Sequence, residues 1–372
     1  VGILRGLRVV EFEGLGPGPF CGMLLADLGA DVIVIERPDG AVGGPGAIFR
    51  RGKRSIALDL KRPAAREAAL RICANAEALI EGLRPGVMER LGLGPDDVRA
   101  VNPKIVYGRL TGWGQTGPLA AAAGHDLNYA SLAGAAWYAG RAGEAPVPPP
   151  TLAGDVAGGA LYLAVGILAG LLRARETGEG SVVDAAIVDG AAHMMNLLLS
   201  LRAAGGLPDE RGRSMVDGAH FYDVYQCKDG GWISIGPLEP KFYALLLEKL
   251  GLSGDPDFAN QYDAAKWPAL KARLRDLFAS RTRGEWTALL EGTDVCFAPV
   301  LSPGEAAEHP HMRARDAYRI VGGVLQGAPA PRFDGAPAPE PGPVPARGAH
   351  TTDILREAGL AEDEIRVLTD AS

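Results

Sequence analysis

LRVVEFEGLGPGPFCGMLLADLGADVIVIERP (residues 7–38) decides the fold. Residues 7–12 form a short β-branched run and read as a strand. The prolines of GLGPGPF suit a helix opening, because a proline at the first helical position gives up only an N–H that lacks an intrahelical partner. Gly29 suits that helix's end. DVIVIE is a second apolar strand, and Pro38 stops it. The glycines of the first turn, Gly14, Gly16, Gly18 and Gly22, do not keep the G-x-G-x-x-G spacing, so the dinucleotide signature is weak.

The same alternation continues outward. RSIALDL, EALIEGLRP and KIVYGRL read as further strands. PAAREAALRICANA is helical with Pro63 in its first turn, and short helices fall around GVMERLGL and PDDVRAVN. Strand alternating with helix predicts an α/β fold, a parallel sheet covered by helices. Residues 156–172 are apolar throughout and carry Gly158, Gly159, Gly166 and Gly170. They predict a helix buried inside the protein rather than a membrane span.

Beyond Ser200 the pattern changes. GGWISIG reads as an antiparallel strand, and KFYALLLEKLGL and WPALKARLRDLFAS as amphipathic helices, which predicts a small α+β domain over residues 220–311 after a large domain over 1–200. Residues 327–350 are rich in Pro and Ala and read as an extended arm; a helix at TTDILREAGL follows.

The 372 residues carry a net charge of −7, and nucleic acid is a poor expectation for so acidic a chain. Cys21, Cys73, Cys227 and Cys296 form no CxxC pair and read as free thiols of a reducing, cytoplasmic compartment. The chain starts directly on a strand, which leaves no room for a signal peptide. HExxH, zinc spacing, a P-loop and G-x-S-x-G are all missing, so neither a metal site nor serine hydrolysis is expected.

The candidate chemistry is sparse. His125 follows four alanines and a glycine, which let a flat ligand approach the backbone, and an imidazole serves as base or acid near neutral pH. Asp155 precedes the long apolar segment, where it reads as an N-cap kept ionised and available as a base. The N–H groups near Gly158 and Gly159 would favour an anion beside it. Glu239 sits between a strand and a helix and matters only if it orients His125. Arg37, Arg51, Lys53, Arg54, Arg84 and Arg90 lie at strand ends and loops, where together they would hold a phosphorylated ligand.

Residues 6–38, RGKRSIALDLK, LRPGVMERLGLGPDD, GRLTGWGQTGP, GHDLNY and GEGSVVDAAIVDG together resemble the family III coenzyme A transferase superfamily, and within it the branch of racemases acting on 2-methylacyl-CoA thioesters. The resemblance implies a Rossmann-like large domain, a small domain reached by long linkers, and a tail (residues 325–372) that returns to the large domain. It implies two chains interlocked as a homodimer. In transferases of the superfamily the aspartate matching Asp155 carries the acyl group as an anhydride. The Gly-His-Asp segment and the Glu239–Pro240 pair match the racemases instead, with His125 and Asp155 as bases flanking the reacting carbon. Arg37 and the backbone of Ala57, Leu58, Asp59 and Leu60 are implied to hold the CoA nucleotide, with Arg84 and Arg90 near its phosphates. No separate cofactor is implied, since CoA is part of the substrate.

Overall fold

The computed structural model describes residues 2–40 and 46–369. The chain divides into two compact units. The first comprises residues 1–135, 149–194 and 310–372, and the second 136–148 and 195–309.

The first unit runs β1 (Arg8–Phe12), α1 (Pro17–Asp27), β2 (Asp31–Glu36), β3 (Arg54–Ala57), α2 (Pro63–Ala74), β4 (Ala78–Glu81), α3 (Val87–Arg90), α4 (Pro95–Val101), β5 (Val106–Thr111) and α5 (Asp126–Leu132). A wide π-helical turn, Leu152–Ala160, continues into α6 (Leu161–Thr177), followed by β6 (Ser181–Ala186) and α7 (Ile187–Met194). The second unit holds α8 (Asn196–Ala203), β7 (Asp223–Gln226), β8 (Trp232–Ile235), α9 (Pro240–Leu250), α10 (Trp267–Phe278), α11 (Arg283–Leu290), β9 (Phe297–Val300) and α12 (Pro303–Glu308). The chain then re-enters the first unit with α13 (Pro310–Ala314), the hairpin β10 (Tyr318–Val321) and β11 (Val324–Gly327), α14 (Thr351–Glu357) and α15 (Glu362–Thr369).

The six strands of the large sheet are all parallel, in the order β3-β2-β1-β4-β5-β6. Successive side chains alternate between faces. Val9, Val32 and Ile80 pack with Cys21 and Leu25 of α1 and Leu163 and Ile167 of α6. Val10, Ile33 and Leu79 pack on the other face with α2 residues and with Ile354 and Leu355 of α14. Covering both faces is why the central strands read as predominantly apolar runs, with Glu11, Glu81 and Arg109 among the charged exceptions. The edge strand β6 was not expected. Its Val182 and Asp184 are exposed, so it has no continuous apolar run to announce it.

The long apolar helix is present. Leu152–Thr177 is long and apolar enough to cross a membrane, and its inward residues Leu163, Ile167 and Leu171 are buried against the sheet. Gly166 and Gly170 set the approach: a Cβ at either would lie 2.5 Å from Val183 Cγ1 or 2.7 Å from Val106 Cγ1.

The expected 1–200 block is interrupted. Residues 136–148 belong to the second unit because they bond there: Arg141 pairs with Asp223, and Trp137 Nε1 donates to the Asp209 carbonyl at 2.8 Å. That unit is a three-stranded antiparallel sheet, β7-β8-β9, with a core of Phe221, Phe258, Phe278 and Trp286. The Pro-rich arm runs along the edge of the large sheet. Gly52 N–H donates to the Pro343 carbonyl, and Ser55 N–H to His350 Nδ1. A Cβ on Gly342 would sit 2.4 Å from Gly52 Cα, so the two backbones meet only because residue 342 is glycine.

Candidate active site

Strand order reverses between β1 and β4: the chain builds from β1 outward to β2 and β3, then crosses back to place β4 on the other side. The loops leaving the C-terminal ends of these strands diverge, and open α/β sheets bind ligands in the crevice so formed. A cleft of about 350 Å³ lies there. Residues 15–18 after β1, 82–85 after β4 and 110–113 at the end of β5 line it, with residues 122–125, Tyr129 and Asp155.

Buried ion pairs fix two of these walls from behind. Lys53 Nζ donates to Glu11 Oε2 at 2.6 Å and to the Pro19 carbonyl at 2.9 Å, which ties the first turn of α1 to the sheet. Glu81 accepts from Arg109 Nε at 2.8 Å and from Leu83 N–H at 2.7 Å, which holds the loop bearing Arg84. Gly16 takes φ +64°, a region glycine enters without strain, and brings the β1–α1 turn over Asp155. A Cβ at Gly16 would stand 3.5 Å from Asp155 Oδ2.

The third wall is aromatic. Trp113 and Tyr129 meet edge to face with centroids 4.7 Å apart, and the Tyr129 hydroxyl donates to the Gly124 carbonyl. A Cβ at Gly112 would land 1.9 Å from Tyr129 Cζ, and one at Gly124 2.7 Å from Tyr129 Cε1. The small residues before His125 therefore serve this packing as well as ligand access. His125 is exposed, immediately before α5, and its N–H donates to Asn128 Oδ1 at 3.0 Å.

Asp155 faces the same cleft, but not as the expected cap. It lies inside the π turn, whose own cap position is Thr151 at φ +57°. The first N–H groups of a helix lack intrahelical partners. Here those of Gly154 and Asp155 both donate to Asp126 Oδ1, at 2.8 and 2.7 Å. Nor do its surroundings favour the ionised form. Burial first, then the neighbouring Asp126 carboxylate, push its carboxyl up to about 6, with His125 opposing. That brings it into the range where imidazoles ordinarily titrate. Gly158 and Gly159 have a packing role. Their missing Cβ atoms make room for α7: one at Gly158 would lie 2.9 Å from Ala191 N, one at Gly159 2.9 Å from Ile187 Cγ1.

The basic residues divide. Arg84 is exposed in the cleft. Arg90 is exposed at the end of α3, outside the cleft lining. Arg37 stands at the end of β2 with its side chain 76% exposed, its N–H donating to Glu13 Oε2. Arg51, Lys53 and Arg54 are structural instead. Arg51 forms a buried pair with Asp27 and donates to Gln326 and the Gly327 carbonyl; Arg54 pairs with Asp31 and Glu357. In the 57–60 segment the Ala57 N–H donates to Thr351 Oγ1 and the Leu58 N–H to the Glu36 carbonyl, so neither is left for a ligand. Asp59 Oδ1 accepts from Lys61 N–H, and the Leu60 carbonyl from Arg66. Glu239 belongs to the second unit. It is exposed and precedes α9, with its backbone carbonyl accepting the Phe242 and Tyr243 N–H groups.

Sequence reasoning missed Asp126, Glu81 and the Glu11–Lys53 pair. An acidic residue inside an apolar strand was the available signal for the glutamates. Asp126 had none, because its partners lie 28 and 29 residues away.

The model of the CoA-transferase family III matches residues 4–351. The alpha-methylacyl-CoA racemase of Mus musculus is 43% identical over 367 residues, covering 98% of this chain and 95% of that protein. The enzyme of the same name from Homo sapiens is 41% identical, covering 97% and 95%. Among solved structures, a CaiB/BaiF family protein from Brucella suis superposes with a TM-score of 0.82 at 29% identity, covering 96% of this chain and 99% of that one. With its switch-point cleft, its returning tail and a match across nearly its whole length, the chain belongs to CoA-transferase family III.

Proposed function

We propose that this protein is an α-methylacyl-CoA racemase that interconverts the two configurations at carbon 2 of a 2-methylacyl-CoA thioester. The observation that carries the reading is Asp155 raised to about 6 in a cleft that also holds His125. Inversion at carbon 2 needs one base to remove a proton from one face and an acid to return one to the other. A carboxyl raised to about 6 can take a proton in one direction and give one in the other, and efficient proton transfer wants a pKa near the working pH. In one direction neutral His125 takes the α-proton and protonated Asp155 delivers one. In the other, the Asp155 carboxylate takes it and the imidazolium delivers. The charge left on carbon spreads into the thioester carbonyl as an enolate, so the substrate supplies the electron sink and no separate cofactor enters a step.

Arg84 at the cleft, with Arg37 and Arg90 further out, supplies cations for the phosphates of CoA. Identity above 40% to two racemases supports the same reading. A partner copy is part of the proposal. Val165 and Leu172 of α6 are 66% and 68% exposed, and Leu127 and Leu132 of α5 are exposed too, an apolar display that suits a subunit interface. In that homodimer Glu239 of one chain supports His125 of the other.

The second reading is CoA transfer, with the Asp155 carboxylate attacking the thioester carbonyl to form a mixed anhydride as the C–S bond breaks and CoA leaves as its thiolate. The family match favours it. Identity above 40% to two racemases, against about 30% to two CoA-transferases, tells against it. Incubating the protein with one pure 2-methylacyl-CoA diastereomer in deuterated water separates the two. Racemisation with deuterium entering carbon 2, in the absence of any acceptor acid, is the expected result. Exchange that appears only with an acceptor acid, together with hydroxylamine trapping at Asp155, overturns it.

A further inference from the structure

We infer that Asp126 is the positioning residue of the site: its buried carboxylate is the N-terminal cap of the Leu152–Thr177 helix, supplied from another element, and it locks the backbone of Asp155 to that of His125. This rests on the two-base reading above. Asp126 directly follows His125, is 5% exposed, and accepts from two consecutive N–H groups of the π turn. Thr151, the helix's own cap position, gives no side-chain cap. Without Asp126 two donors at the start of a long helix would lack an acceptor, and buried donors of that kind are rarely left so. Gly154 is the matching half of the contact. A Cβ there would lie 2.6 Å from Asp126 Oδ1, so only glycine admits the carboxylate this close.

The placement has an electrical consequence. The groups that bear on Asp155 are Asp126, His125 and, from α5, the Tyr129 phenol. The β1–α1 turn brings Gly16 and Pro17, which are uncharged. From α7, Asp189 and His193 are exposed, His193 bonding Tyr162, and the residues against the π turn are Ile187 and Ala191. Asp126 is thus the one carboxylate among Asp155's named neighbours, and its charge adds to burial in raising the Asp155 carboxyl.

Asp126→Asn tests this, because an amide oxygen still accepts both N–H groups while the charge is gone. Carbon-13 NMR of aspartate-labelled protein, with Asp155→Asn to identify the resonance, reads the Asp155 titration without reference to any reaction. The expected result is a midpoint moved to lower pH in Asp126→Asn, and an acid limb of kcat/KM moved the same way. Asp126→Ala, which loses the acceptor as well, should lower kcat about a hundredfold with KM for the thioester little changed, as misplacing a reacting group by an ångström does. Restoration of kcat toward wild type in Asp126→Asn relative to Asp126→Ala is expected for a cap. An Asp155 midpoint and pH limbs that superimpose on wild type in Asp126→Asn overturn the electrical role; equal kcat in wild type and Asp126→Ala overturns the positioning role. A wild-type protein that exchanges no α-proton would instead sink the racemase reading, and the NMR titration would still decide the contact.

Discussion

At the residue scale, His125 and Asp155 carry the strongest expectation. His125→Ala and Asp155→Ala should each lower racemisation by about a hundred- to ten-thousandfold, the usual contribution of a general acid–base group. CoA binding should persist. The pH profile follows from the sign of the Asp155 shift. The active pair holds one proton between the two groups. Activity falls on the acid side as the second proton binds and on the alkaline side as the last one leaves. With Asp155 raised to about 6, the acid limb of kcat/KM should lie near pH 6. An acid limb near the ordinary carboxylate range would show that Asp155 is not the group. His125 was legible in the sequence because a lone imidazole stood among alanines. The state of Asp155 was not, because it depends on burial and on Asp126, neither of which local sequence displays. Arg51, Lys53 and Arg54 were misread as ligand-facing for the same reason. Their partners Asp27, Glu11, Asp31 and Glu357 are brought to them by the sheet and the tail.

At the scale of the element, the π turn matters most. Its glycines let it lie on α7, and the contact is reciprocal: a Cβ on Gly190 would sit 1.9 Å from the Gly158 carbonyl oxygen. Because the obstacle is backbone, no side chain can swing aside. Gly190→Ala should therefore destabilise the fold by about 1–3 kcal/mol, the range for overpacked interiors. It should also lower kcat by displacing the turn that bears Asp155. Thermal or urea unfolding together with kinetics checks both, and a variant of wild-type stability would mean that the two elements separate easily. The sequence places a helix here correctly but starts it too late. An aspartate before an apolar run looks like a cap, and nothing in a run of small residues reveals that the helix opens with a wide turn capped from elsewhere.

For the whole molecule, the sheet was legible almost strand by strand, since burial on both faces writes itself as predominantly apolar runs in β1, β2, β4 and β5. The division into units was less so. Residues 136–148 hold small and proline residues without periodicity, and only their bonds to the second unit assign them. The proposed interlocked homodimer is where the proposed function meets this architecture. If each site joins His125 of one chain to Glu239 of its partner, two defective chains can share one intact site. His125→Ala and Glu239→Ala should each be poorly active alone. Co-expressed with different affinity tags and purified through both, the mixed dimer should regain about half of wild-type activity, because by two-fold symmetry one of its sites collects both substitutions and the other collects neither. Co-expression is needed, since chains interlocked as proposed would not exchange without unfolding. A mixed dimer no more active than its parents would place Glu239 with the His125 of its own chain, or outside the site if Glu239→Ala alone keeps full activity. Sedimentation of the wild-type protein as a monomer would remove the shared site altogether.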